Sequence, residues 1–150
     1  MYKILMPTDG SEISQQAVKQ GMAFAKALNA KVFGLHVIPK YHGELEKMDE
    51  GFEVPTIPTL KNRFEEESKV SAQKILASLE EEAKGAGLEC ECLVGTNNIV
   101  YEEIIDTAGK KNCDLIMMAS HGHAGFAGLL LGSETAKLLT HTKLPVLVLR

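Results

Sequence analysis

The sequence predicts an α/β protein: a parallel sheet with helices on both faces. The first observation behind this is alternation. Five short apolar runs are separated by four longer segments whose apolar residues recur at three- and four-residue intervals, the pattern of consecutive βαβ units. The second is the character of the runs, several of which are apolar almost throughout, as strands covered on both faces must be.

Residues 2–8 are short, apolar and β-favouring, and stop at Asp9-Gly10-Ser11, a turn that also offers a helix cap. Over 11–29, Ala17, Val18, Gly21, Met22, Ala25 and Leu28 recur at helical spacing, giving an amphipathic helix. Residues 31–38 read as a second buried strand, with His36 as a hydrogen-bonded core histidine. Residues 39–58 are the least regular stretch, holding Gly43, Gly51, Pro55 and Pro58; loops of this length tend to be functional or mobile. From 59 to 84, Leu60, Phe64, Ser71, Ile75, Leu79 and Ala83 line one side of a long helix whose remainder is rich in Glu and Lys. Gly85 and Gly87 end it, and 88–94 alternates as a third strand. Residues 95–98 form a turn with a cap for a helix over 99–111. A fourth strand over 114–119, a helix over 133–141 and a fifth strand over 145–150 complete the series, with Met117 and Met118 as core filling.

At 150 residues the chain forms one domain, 1–150, large enough to bury a core without staples. Its composition, 45% hydrophobic and 24% charged, is that of an ordinary globular protein. A net charge of −4 with scattered lysines argues against nucleic acid as a partner. No apolar run reaches the ~18 residues of a membrane span, and the start lacks a secretory signal. Cys90, Cys92 and Cys113 include no Cys-x-x-Cys pair; Cys90 and Cys92 share a strand face, which fits reduced thiols in the cytoplasm.

The chemistry concentrates in the last third. Ala119-Ser-His-Gly122 lies at the carboxyl end of a buried strand, and nine residues later Gly132-Ser133 opens a helix. Glycine lets backbone approach a ligand closely, and the N–H groups of a helix start suit an anion such as phosphate. Gly125 and Gly128 fall between; the other reading of the whole segment is a flexible loop. Ligands of open parallel sheets sit beyond the carboxyl ends of the strands, where the strand order reverses. Asp9 would meet the glycine segment there if the first and fourth strands flank that point. It then accepts hydrogen bonds from ribose hydroxyls; the alternative is a turn or capping residue. His121 and His123, without a nearby carboxylate or cysteine, read as loop residues, and no metal site is expected. There is no Gly-x-x-x-x-Gly-Lys-Ser/Thr, no Gly-x-Gly-x-x-Gly after the first strand and no Gly-x-Ser-x-Gly. The chain is equipped to bind phosphate without an evident nucleophile or base.

These segments together resemble the universal stress protein family over essentially the whole chain. The resemblance is carried by 4–11 (ILMPTDGS), 35–37 (LHV), Val94-Gly95, 114–122 (DLIMMASHG), 130–133 (LLGS) and 144–148 (LPVLV). It implies a five-stranded Rossmann-like sheet in the order 3-2-1-4-5, akin to the adenine nucleotide alpha hydrolases. It further implies that Asp9 holds ribose, Val37 contacts adenine, Pro7 shapes the loop beside the base, and Gly122, Gly132 and Ser133 hold phosphates. The ligand implied is ATP, or AMP or ADP, with Mg as the accompanying ion. The nucleotide-binding branch carries Gly-x-x-Gly, nine residues, then Gly-Ser/Thr; here the first position is Ala119. In strand geometry that methyl costs little, whereas left-handed geometry would cost roughly 1–2 kcal/mol. The function implied is a cytoplasmic, ATP-binding stress-response module or switch without efficient catalysis. The alternatives are a family member acting only through protein contacts and a slow ATP-hydrolysing or adenylate-transferring enzyme. In the implied strand order, residues 146–149 form an apolar sheet edge, which predicts a homodimer through pairing of two such strands.

Overall fold

The computed structural model describes residues 1–41, 57–122 and 131–150, with residues 57 and 58 described as backbone only. In chain order they form β1 (Lys3–Pro7), α1 (Glu12–Ala27), β2 (Lys31–Ile38), α2 (Ile57–Gly85), β3 (Cys90–Thr96), α3 (Val100–Lys110), β4 (Leu115–Ala119), α4 (Ser133–His141) and β5 (Val146–Leu149). The strands make one sheet in the order β3-β2-β1-β4-β5. Every neighbouring pair is parallel, with Ile4 facing Val32 on one side and Leu115 on the other.

Alternation along the strands divides the core in two. Ile4, Met6, Val32, Met117 and Ala119 pack on one face against Val18, Met22 and Ala25 of α1 and Leu79 and Ala83 of α2. Leu5, Phe33, Leu35 and Ile116 pack on the other against Ile104 and Ala108 of α3 and Leu138 of α4. Successive residues point to opposite faces and both are covered, so β1 reads as an unbroken apolar run. Cys90 and Cys92 lie half-buried on the first face, all three cysteines are free thiols, and the Cys92 thiol donates to Leu76 O at 3.6 Å.

Helix α1 starts where the turn chemistry placed it. Gly10 takes φ +80°, and the Ser11 hydroxyl accepts the Ser14 N–H at 3.2 Å as N-cap. Several features differ from the sequence reading, beginning with α2, which starts at Ile57 and so takes in Pro58 from the stretch read as irregular. The buried stripe of α2 runs through Ala72, Leu76, Leu79 and Ala83, so Ser71 faces solvent. Gly95 and Thr96 belong to β3, because the parallel ladder continues through Val37–Gly95 and Ile38–Thr96. The turn therefore begins at Asn97, whose side chain accepts the Ile99 N–H at 3.0 Å, and Ile99 itself is the N-cap of α3 without a side-chain capping bond. Of the irregular stretch 39–58, residues 42–56 lie outside the described residues, as do Gly125, Gly128 and His123.

Candidate functional site

The strand order reverses beside β1: the chain passes from β1 to β2 on one side, while β4 lies on the other. Beyond the carboxyl ends of these strands is a cavity of about 410 Å³, within the usual range for small-molecule sites. Most of its lining comes from three separate segments. Pro7, Thr8 and Asp9 come from the end of β1, Leu35, His36 and Val37 from β2, and Ala119, His121, Gly122, Gly132 and Ser133 from the ends that flank the β4–α4 connection. All seven residues singled out in the sequence (Pro7, Asp9, Val37, Ala119, Gly122, Gly132 and Ser133) thus lie around one cavity.

Asp9 holds the turn into α1 and also lines the cavity. Its Oδ1 accepts the Ser11 N–H at 2.9 Å and the Ser14 hydroxyl at 2.7 Å, which fixes the turn into α1. Its Oδ2 lies against Gly122, where any Cβ would overlap it. A side chain at position 122 would therefore have to displace the Asp9 carboxylate.

Gly132 is needed for a different reason than ligand approach. Its N–H donates to Ser120 O at 2.6 Å, and a Cβ there would sit 2.9 Å from both Cα and Cβ of His121. The glycine closes the two ends of the β4–α4 connection on each other, and its own amide is committed within the chain. It is also the N-cap of α4, with no side-chain cap, and its carbonyl accepts the Ala136 N–H at 3.0 Å. The first-turn N–H groups that follow, beginning at Ser133, are the helix-start donors that suit an anion. The Thr135 hydroxyl ties this turn to Ala119 O at 3.0 Å.

Ala119 is the last residue of β4, buried, and paired with Leu149. Asn29 and Asn112 are the non-glycine residues with positive φ among those described, so Ala119 keeps strand geometry, where its methyl costs little. The sequence reading missed several lining residues. His36 is not sealed in the core: it lines the cavity, and its Nδ1 donates to Thr8 O at 2.8 Å, because a carbonyl can only accept. Met118 is half-buried and lines the cavity, whereas Met117 fills the core. Ser14, Val100, Ile104, Glu134 and Thr135 add to the wall, and no local pattern marks them because they come from helices. Among the described residues no group of three or more His, Cys, Asp and Glu is arranged to hold a metal ion.

Fold and site together define a doubly wound α/β protein with a cavity at the switch point of its sheet. The profile of the universal stress protein family matches residues 1–150, and the chain belongs to that family. It is 33% identical over 166 residues to universal stress protein MJ0577 of Methanocaldococcus jannaschii, spanning 100% of this chain and 96% of that one. The solved structure of MJ0577 superposes with a TM-score of 0.79 at 29% identity, covering 99% of this chain and 94% of that chain. Two more distant structures share the fold. A universal stress protein in complex with cAMP has a TM-score of 0.67 at 23% identity, over 99% of this chain and 96% of its own. An AMP-bound family protein from Arabidopsis thaliana has a TM-score of 0.64 at 16% identity, over 99% and 91%.

Proposed function

We propose that residues 1–150 form one universal stress protein domain that binds an adenine nucleotide, namely ATP with Mg, or AMP or ADP. In this reading it works in the cytoplasm as a binding module or switch without efficient turnover. The observation that carries the proposal is the convergence of Asp9, Val37 and the Ala119–Gly122 and Gly132–Ser133 segments on one cavity at the switch point. The adenine nucleotides in the cAMP and AMP complexes of related folds support it. Val37 and Pro7 flank the base, Asp9 Oδ2 faces the ribose beside Gly122, and Ser133 with the first turn of α4 meets the phosphates. Apolar walls from Val100, Ile104 and Met118 suit a flat heterocycle, and the helix start suits its anionic end.

Mass spectrometry of small molecules released from the purified protein, followed by calorimetry with AMP, ADP and ATP with Mg, tests the reading. Retention or binding of an adenine nucleotide is the expected result. No binding of any of them at millimolar concentration would leave a protein acting through protein contacts alone. Steady ATP turnover that survives purification and disappears in Asp9→Ala would replace the switch with an enzyme.

The same proposal includes a homodimer. β5 is an edge strand bonded only to β4 among the described strands, and its residues are Val-Leu-Val-Leu. Antiparallel pairing of two β5 strands would satisfy the free edge. Light scattering should report twice the 16.3 kDa chain mass at micromolar concentration. Val148→Lys should shift it toward monomer, and a wild-type monomer there defeats this part. No helix among the described residues is long and apolar enough to cross a membrane.

A further inference from the structure

The cavity has an unusual charge balance for a phosphate site. Among the described residues two acidic residues, Asp9 and Glu134, line it, and no lysine or arginine does. Glu134 follows Ser133 in the first turn of α4, the turn offered to the ligand's phosphates. Its Oε1 lies 3.5 Å from Lys137 Nζ, a pair in which both side chains are about half exposed and which neutralises little. Its Oε2 is buried without a hydrogen-bond partner among the described residues. An acceptor left in that state gains nothing from a phosphate oxygen, which is itself an acceptor and carries the same sign of charge.

We propose that Glu134 is a specificity residue that sets the charge of the ligand: the cavity takes adenine nucleotides whose phosphate charge is low or cation-compensated, and disfavours bare ATP. The inference rests on the adenine-nucleotide reading and narrows it. A helix start by itself favours negative charge without limit of kind. The carboxylate on the same turn opposes each additional phosphate charge brought within about one helical turn of it, about 5 Å. AMP, with one phosphate, meets this opposition least. ATP meets it most, unless a divalent ion travels with its phosphates, as such ions do when held by one or two carboxylates plus substrate oxygens.

The test is calorimetry of AMP, of ATP in EDTA and of ATP with Mg, on the wild-type chain and on Glu134→Gln, which keeps the shape and removes the charge. The expected wild-type order is AMP and Mg-ATP tighter than bare ATP. In Glu134→Gln, bare ATP should tighten by roughly tenfold or more, with a much smaller change for AMP. Glu102→Gln, which removes an exposed charge from α3 outside the cavity, should leave the ATP-to-AMP ratio as it was. An unchanged ratio in Glu134→Gln, or equal gains for all ligands, overturns the inference while leaving nucleotide binding intact. Failure of every nucleotide to bind either protein removes the functional reading, and this inference with it.

Discussion

At the amino end of the sheet three helix-to-strand corners repeat one hydrogen-bond pattern, whereas at the carboxyl end the starts of α1, α3 and α4 are each built differently. Ala30, Leu88 and Cys113 each donate an N–H to the carbonyl five residues earlier, at Ala25, Ala83 and Ala108, over 2.9–3.0 Å. The residue before each is left-handed: Asn29 at φ 49°, Gly87 at φ 72° and Asn112 at φ 53°. This is the Schellman closure, and it satisfies the last carbonyls of the helix within the chain. Charges at this end are paired too. Lys31 lies 3.1 Å from Glu89 and Lys111 lies 2.7 Å from Glu91, with both ammonium groups near the Phe33 ring.

The carboxyl end uses Ser11 as one cap, an asparagine-bonded Ile99 as another and an uncapped Gly132 as a third. It also leaves the Glu134 Oε2 buried without a hydrogen-bond partner among the described residues. One end closes its own polar groups and serves stability; the other leaves groups for something else to satisfy. The same strands serve both, which is why stability and ligand binding should separate by position along them.

That separation can be broken most sharply at Asp9. Asp9→Ala removes the group facing the proposed ribose, a charged hydrogen bond worth about 1.5–3 kcal/mol, so nucleotide affinity should fall more than tenfold by calorimetry. It also removes the acceptor of Ser11 N–H and Ser14 hydroxyl, so some thermal stability goes with it. Unfolding without any ligand-specific loss would reduce Asp9 to a turn residue. Asn112→Val probes the opposite end. A β-branched residue in left-handed geometry costs about 1–2 kcal/mol, so denaturant unfolding should show that loss while nucleotide affinity stays put. A binding defect in this variant would show the two ends to be coupled.

Smaller effects sharpen the comparison. Ala119→Gly should lower stability by about 0.5–1 kcal/mol, since glycine in a strand loses more backbone entropy, and leave affinity unchanged. Marked tightening would mean that the Ala119 methyl does obstruct the ligand. The smallest expected effect is a pH dependence at the amino end. The Lys111 ammonium hydrogen-bonded to Glu91, with Lys31 adding to it, holds the Glu91 carboxyl below its ordinary value. A depressed folded value means that this contribution is present above the unfolded carboxylate range near ~4.3 and is lost as pH falls through the folded value. Acid unfolding of Glu91→Gln should show a shallower dependence there than wild type.

The alternation of elements, the Ser11 cap and the exact ends of β2 and α4 could be read from the chain alone, because periodicity and capping are decided by neighbours within a few residues. Asp9, Gly122, Gly132 and Ser133 stand out for a related reason, because glycines, an Asx turn and a helix start at strand ends are local signals, whereas Pro7 and Val37 are marked only by the family resemblance; all of them line the one cavity. Only the tertiary structure decided the rest. β3 runs on to Thr96 because β2 offers a ladder that far, and α2 faces inward through Ala72 rather than Ser71 because of where the sheet lies. It decided that Gly132 packs on His121, that Gly122 covers Asp9, and that Glu134 and His36 reach the cavity. These contacts join residues far apart in sequence, and no property of a short segment records which distant surface will close over it.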